Sequence, residues 1–179
     1  MSHPVNVTDL LRDAKVVLLI DWPSRDVPDA LARGGLEVIS DEGPHRGYHV
    51  YRADGDQVGP TPASRAPERA DIVYAHRPLD ELPDIVERAR ALGARAIWYQ
   101  SGLDSTGERD PRGCWQLPDE LAEARQVVES AGLAFVREPY IADVARETSV
   151  GHDVRREFAF DRGLLEVPDD FEMTETQPE

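Results

Sequence analysis

The stretch from Ala70 to Gly102, ADIVYAHRPLDELPDIVERARALGARAIWYQSG, constrains the fold more than any other part of the chain. It opens on a short apolar run, Ile72-Val73-Tyr74-Ala75, set between Asp71 and His76-Arg77-Pro78. An apolar run of that length, closed by polar residues, is the pattern of a strand buried on both faces of a parallel sheet. From Leu79 to Leu92 the apolar residues Leu79, Leu82, Ile85, Val86, Ala89 and Leu92 fall at steps of three and four, which place one stripe on a helix. Pro83 falls near the first turn, where a missing amide hydrogen costs little, and Gly93 follows as a C-terminal cap. A second short strand, Arg95 to Tyr99, then runs into Gln100-Ser101-Gly102. Strand, helix and strand within about thirty residues make a βαβ unit, whose crossover is right-handed in nearly all proteins.

The same grammar recurs on either side. Val7 to Asp13 is predicted as a short leading helix capped by Asn6 or Thr8, and Lys15 to Ile20 as a first buried strand ending at Asp21. A helix from about Val27 to Arg33, capped by Ser24 or Asp26, stops at Gly34-Gly35. Leu36 to Ile39 is then a second strand. Between the two units, Tyr48 to Arg52 and Gln57 to Val58 flank Asp54-Gly55 and predict a short antiparallel hairpin, with Thr61 to Glu68 as loop. After the central unit comes a long polar loop, Leu103 to Pro118, which holds Cys114. A helix to about Ala131, a last strand Leu133 to Val136, and a helical turn over Tyr140 to Arg146 complete the pattern. The expected class is therefore α/β: a Rossmann-like open parallel sheet of about five strands, helices on both faces, and a short hairpin insertion. Residues 1–150 are expected to form one domain. Residues 151–179 form a C-terminal extension, and Glu166 to Glu179, with six acidic residues and no basic one, is expected to be a disordered tail.

Charge limits the partners. A formal net charge of −15 argues against nucleic acid or an anionic membrane as a partner, since phosphates are repelled, yet it leaves room for a small anion in a local pocket. A single cysteine excludes an internal disulfide and favours the cytoplasm, as does a start without a basic-then-apolar leader. Among the twenty basic residues only Lys15 is lysine, so an arginine needs a positional argument before it carries function. His45 and His49 lie four apart, but Gly47 and the hairpin spoil a helical ligand pair, and no metal site is expected.

The succession of elements, and above all Asp71 to Gly102 with its His76-Arg77-Pro78 and Ala96-Ile97-Trp98-Tyr99-Gln100-Ser101-Gly102, resembles the small bacterial CoA-binding domain proteins. Their Rossmann-like domain also forms the N-terminal part of the succinyl-CoA synthetase alpha chain. The resemblance runs from about Val16 to Ile141 and implies a CoA or acyl-CoA ligand. Family members usually carry a glycine and a serine in the loop after the first strand. Here that loop is Asp21-Trp22-Pro23-Ser24-Arg25, with the serine and no glycine. The second strand usually ends in a Val-Asn-Pro type turn; here it ends Ser40-Asp41-Glu42-Gly43-Pro44.

In open parallel sheets ligands bind beyond the carboxyl ends of the strands, where the winding reverses. The residues expected there are Trp22, Ser24, Ser40, Arg77, Gln100, Ser101 and Gly102 as ligand contacts, with Asp21 and His76 as acid/base candidates and Tyr140 nearby. An aspartate beside a histidine can hold one tautomer and raise its basicity; the alternative is that both are satisfied polar groups at the sheet rim. Arg77 is placed to clamp an anion, or to pair with Asp21 or Asp80. Two functions follow: a binding protein for CoA, an acyl-CoA or another nucleotide-like anion, or a small enzyme that reuses the scaffold through Asp21 and His76. A Ser24-His76-Asp21 triad lacks the nucleophile elbow such chemistry needs.

Overall fold

Seven strands form one sheet in the computed structural model, which describes residues 5–22, 24–43, 46–100 and 118–149. They are β1 (Val16–Ile20), β2 (Glu37–Asp41), β3 (Tyr48–Asp54), β4 (Gln57–Ala63), β5 (Ile72–Ala75), β6 (Ala96–Tyr99) and β7 (Ala134–Val136). Their order across the sheet is β4-β3-β2-β1-β5-β6-β7. Five of them, β2, β1, β5, β6 and β7, run parallel, and the hairpin β3–β4 adds two antiparallel strands beside β2. The fold is the expected open α/β sheet, with the hairpin extending the sheet itself to seven strands. Cys114, Ser101, Gly102, the loop over 103–117 and the C-terminal extension lie outside the described residues.

The helices divide between the two faces. On one, α1 (Val7–Arg12), α2 (Asp26–Arg33) and α5 (residues 141–149) cover a core that includes Val17, Leu19, Leu31, Tyr74, Trp98 and Ile141. On the other, α3 (Leu82–Ala91) and α4 (Pro118–Ser130) cover Leu18, Val73, Val86, Ile97, Tyr99 and Val128. Adjacent strand residues thus feed opposite cores, which is why Val16–Ile20 and Ile72–Ala75 are apolar without alternation.

Several features differ from the expectation, β2 among them, which runs over Glu37–Asp41. The hairpin is longer than expected, and β4 continues through Pro60 and Pro62 to Ala63. Both prolines lie at the sheet's edge, paired with Tyr51 and His49, where missing amide hydrogens break no ladder and discourage a further strand. The central helix begins with a 3₁₀ turn, Leu79–Glu81, before Pro83 takes its place in the first turn of α3. No side chain caps α2, because Ser24 and Asp26 bond to each other instead. The terminal turn is a full helix, α5. The leading helix is capped by Asn6, whose Oδ1 accepts the Thr8 and Asp9 amides at 3.0 and 3.3 Å.

Asp71 ties the two βαβ units together at the entry side of the sheet. Its Oδ2 accepts the Lys15 and Val16 amides at 2.7 and 2.9 Å, fixing the start of β1 beside β5. Burial alone would raise its carboxyl, but these two amide bonds outweigh it and hold the group below the ordinary aspartate range. A folded-state value below the unfolded one contributes stability that is complete above the unfolded pKa and is lost as pH falls through the folded one. Asp71→Ala is expected to cost about 1–2 kcal/mol at neutral pH, for amides left without their acceptor. The loss should shrink towards zero on acidification, as urea denaturation of both chains from pH 7 down to the acid transition would reveal.

Candidate ligand-binding site

The parallel register lines up the strand ends. Asp41 pairs with Ile20, Ile20 with Ala75, and Ala75 with Tyr99, so the next residues, Glu42, Asp21, His76 and Gln100, emerge along one rim. The His76 amide donates to the Ile20 carbonyl at 3.1 Å and the Gln100 amide to the Ala75 carbonyl at 3.0 Å, carrying the pairing one residue past the strands. Winding reverses between β1 and β5, since β1 leads to β2 on one side while β5 leads to β6 and β7 on the other. Asp21 and His76 therefore stand on neighbouring strand ends at the switch point.

A crevice of about 590 Å³ opens at this rim. It is lined by Ile20, Asp21 and Trp22 after β1, by Asp41, Glu42, Gly43 and Arg46 after β2, and by Arg77 after β5. Trp22 is held edge-on against Tyr51, with ring centroids 6.3 Å apart. The loop that carries Arg46 is drawn tight by Glu42 N–H to the Gly47 carbonyl at 3.0 Å and Gly47 N–H to the Gly43 carbonyl at 3.0 Å. Gly43 and Gly47 take φ of 87° and 71°, conformations open to glycine at little cost.

The charges of the crevice are mostly matched. Arg77 donates from Nε to Glu81 Oε2 at 2.8 Å and from Nη2 to Oε1, leaving Nη1 towards Asp21 Oδ2 at 3.5 Å. Glu81 hydrogen-bonded to this guanidinium is held below the ordinary carboxylate range, and Arg77 is held above its own. Arg88, reaching over from α3, donates to Asp41 Oδ2 at 2.6 Å and to the Tyr48 hydroxyl at 3.0 Å. Glu42 Oε1 lies 3.3 Å from His49 Nδ1, without hydrogen-bond geometry. Arg46 is exposed and has no ion pair among the described residues.

Other candidates face inwards. Ser40 is fully buried and donates weakly to the His49 carbonyl at 3.4 Å and to Glu42 at 3.5 Å. Gln100, also fully buried, donates from Nε2 to the Arg137 and Pro139 carbonyls at 3.3 and 3.5 Å, and its Oε1 accepts the Ile141 amide at 3.2 Å. It clamps the approach to α5. His76 is buried at the rim, 3% exposed. Ser24 belongs to a network at the start of α2: its hydroxyl donates to Asp26 and lies 3.2 Å from the Tyr140 hydroxyl, while Arg146 donates to Asp26 Oδ2 at 3.0 Å. Burial would raise Asp26, but the bonds from Ser24, Arg146 and Tyr140 together hold it below its ordinary range. The structure thus gathers Asp21, Trp22 and Arg77 at the crevice, and commits Ser24, Ser40 and Gln100 to internal bonds.

Arg46 is a charged crevice residue that sequence reasoning missed. Nothing in the sequence distinguishes it from the other arginines except the flanking glycines, which turn the loop back over the strand ends.

Fold and crevice together define the class: an open α/β domain wound in both directions from β1, with its cleft at the carboxyl ends of the strands. The sequence profile of the family described as CoA binding domain matches residues 20–142, and the chain belongs to that family. The match spans β1's last residue to the start of α5 and so includes every residue that lines the crevice. No curated protein matches the chain by sequence. Among the described residues no helix is long and apolar enough to cross a membrane.

Proposed function

We propose that the chain binds CoA or an acyl-CoA in the crevice between the ends of β1, β2 and β5, with the anionic part of the ligand against Arg46 and the Nη1 edge of Arg77, which Asp21 faces. The observation that carries this reading is Arg46. In a protein of net charge −15, a cation at the rim of a cleft with no counter-ion among the described residues is a position that an incoming anion completes. The family match supports a CoA-type ligand, and the cleft volume is within the range of small-molecule sites, roughly 300–1,000 Å³. Trp22, braced by Tyr51, offers an aromatic face at the same rim. The ligand is expected to bind as a small anion, with neither nucleic acid nor membrane as partner.

A charge-assisted contact is worth about 1.5–3 kcal/mol, so Arg46→Ala should weaken CoA binding roughly tenfold to a hundredfold. Arg90→Ala, which removes an equal charge from an exposed position on α3, should change it less than twofold at moderate salt, in keeping with screening over about 8–10 Å. Calorimetric titration of both variants measures this. Equal weakening in the two would reduce the effect to net charge and remove Arg46 from the site.

A further inference from the structure

Asp21 is the one non-glycine residue with positive φ among the described residues, at 60°. That left-handed conformation is rare for residues other than glycine, asparagine and aspartate. It turns the Asp21 side chain back over its own loop. Oδ1 accepts the Trp22 amide at 2.9 Å, and Oδ2 lies 3.5 Å from Arg77 Nη1. Nη1 is the part of the Arg77 fork that Glu81 leaves unengaged, because Glu81 takes Nε and Nη2. One backbone amide and one guanidinium edge, converging on a pair of carboxylate oxygens at the mouth of a cleft, are the donor set that holds a phosphate oxygen. The oxygens present belong to the protein.

We infer that Asp21 occupies the anion position of its own crevice and is the residue that sets its selectivity, disfavouring the diphosphate of a CoA-type ligand relative to the ligand's uncharged arm. The inference rests on the binding reading given above and adds to it a residue with a defined cost. A diphosphate reaching Trp22 N–H and Arg77 Nη1 must displace the carboxylate, and then lies beside it at like charge. The half-exposed side chain, 43% accessible, has room to swing out, so the position is contested and not sealed. Asp41 and Glu42 line the same cleft, but Asp41 is held by Arg88 and Glu42 faces His49, which leaves Asp21 as the carboxylate on the donors themselves.

Two substitutions separate charge from volume. Asp21→Gly removes the carboxylate and suits φ of 60°; Asp21→Asn keeps the size and tolerates the left-handed backbone. Both should fold with an unchanged or higher Tm, checked by circular dichroism. Calorimetry is then run on the native chain and both variants with three probes: CoA, ADP as the bare diphosphate, and pantetheine as the arm without phosphate. The expected result is that Asp21→Gly binds CoA and ADP at least tenfold tighter than the native chain, Asp21→Asn gains part of that, and pantetheine changes less than twofold. Native and variant chains that bind CoA equally overturn the inference and leave the binding reading standing, as does a gain shared by pantetheine. Binding of CoA only by the variants upholds the role of Asp21 and overturns the reading for the native chain. No binding by any of the three chains overturns both.

Discussion

Trp98→Ala is expected to remove about 3–5 kcal/mol of stability. Trp98 is fully buried in β6, on the face covered by α1, α2 and α5, and it is the largest of the fully buried side chains among the described residues. Truncation removes its apolar contacts and leaves a cavity that strands held on both sides cannot close. The indole also donates to the Pro139 carbonyl at 3.1 Å, so the substitution cuts one tie between the sheet and the segment entering α5. Since small domains are stable by only about 5–15 kcal/mol, a large share of the total is at stake. Trp98→Phe keeps most of the volume and loses the bond, and should cost about 1–2 kcal/mol. Urea denaturation with a common m-value gives both numbers. A loss below about 1 kcal/mol for the alanine variant would mean that the core repacks around the gap.

Gln100→Leu should cost about 2–4 kcal/mol, although leucine fills nearly the same space and is more apolar. Two backbone groups rely on the side-chain amide, the Arg137 carbonyl and the Ile141 amide that begins α5, and it adds a second donor to the Pro139 carbonyl that Trp98 also reaches. The side chain is wholly buried, and leucine offers these groups nothing. Gln100→Glu sharpens the test. Glutamate still accepts from Ile141, but ionised it turns oxygen towards two carbonyls in a buried site, so burial raises its pKa. A raised carboxyl is carried neutral into the fold, and this variant should recover stability relative to the native chain as pH falls from 8 to 5. The native chain has the opposite tendency, because Asp71, Asp26 and Glu81 are all held below their ordinary range and lose their contribution on acidification. A Gln100→Leu variant as stable as the native chain would show that water replaces the amide.

Much of this fold is legible because burial on two faces leaves a simple mark. KVVLLI, IVYA and RAIWY are short apolar runs, and the helix stripes between them fix the crossovers. The edge is harder to read: Pro60 and Pro62 look like loop residues until their outer position is known. The clamp of Gln100 and Trp98 on the chain near Pro139 joins residues about forty apart, and no local period records it. The crevice is legible in outline only. That Asp21 and Arg77 share a rim follows from the winding, but the fork of Arg77 goes first to Glu81, through a 3₁₀ turn that periodicity does not distinguish from helix. Arg46 is not legible because its meaning lies in having no ion pair among the described residues, and partners are a property of three-dimensional neighbours.

Whether this member of the CoA binding domain family binds a CoA-type ligand in the crevice beside Arg46 is tested most directly by titrating CoA into the native chain in a calorimeter, with ADP as competitor. The expected result is saturable binding at one site per chain, weakened by ADP. The Tm should also climb with CoA concentration, since a ligand at a hundred times its Kd adds about 2.7 kcal/mol. Neither heat nor a change in Tm with CoA and acetyl-CoA at millimolar concentration, in a chain shown to be folded, would contradict this reading.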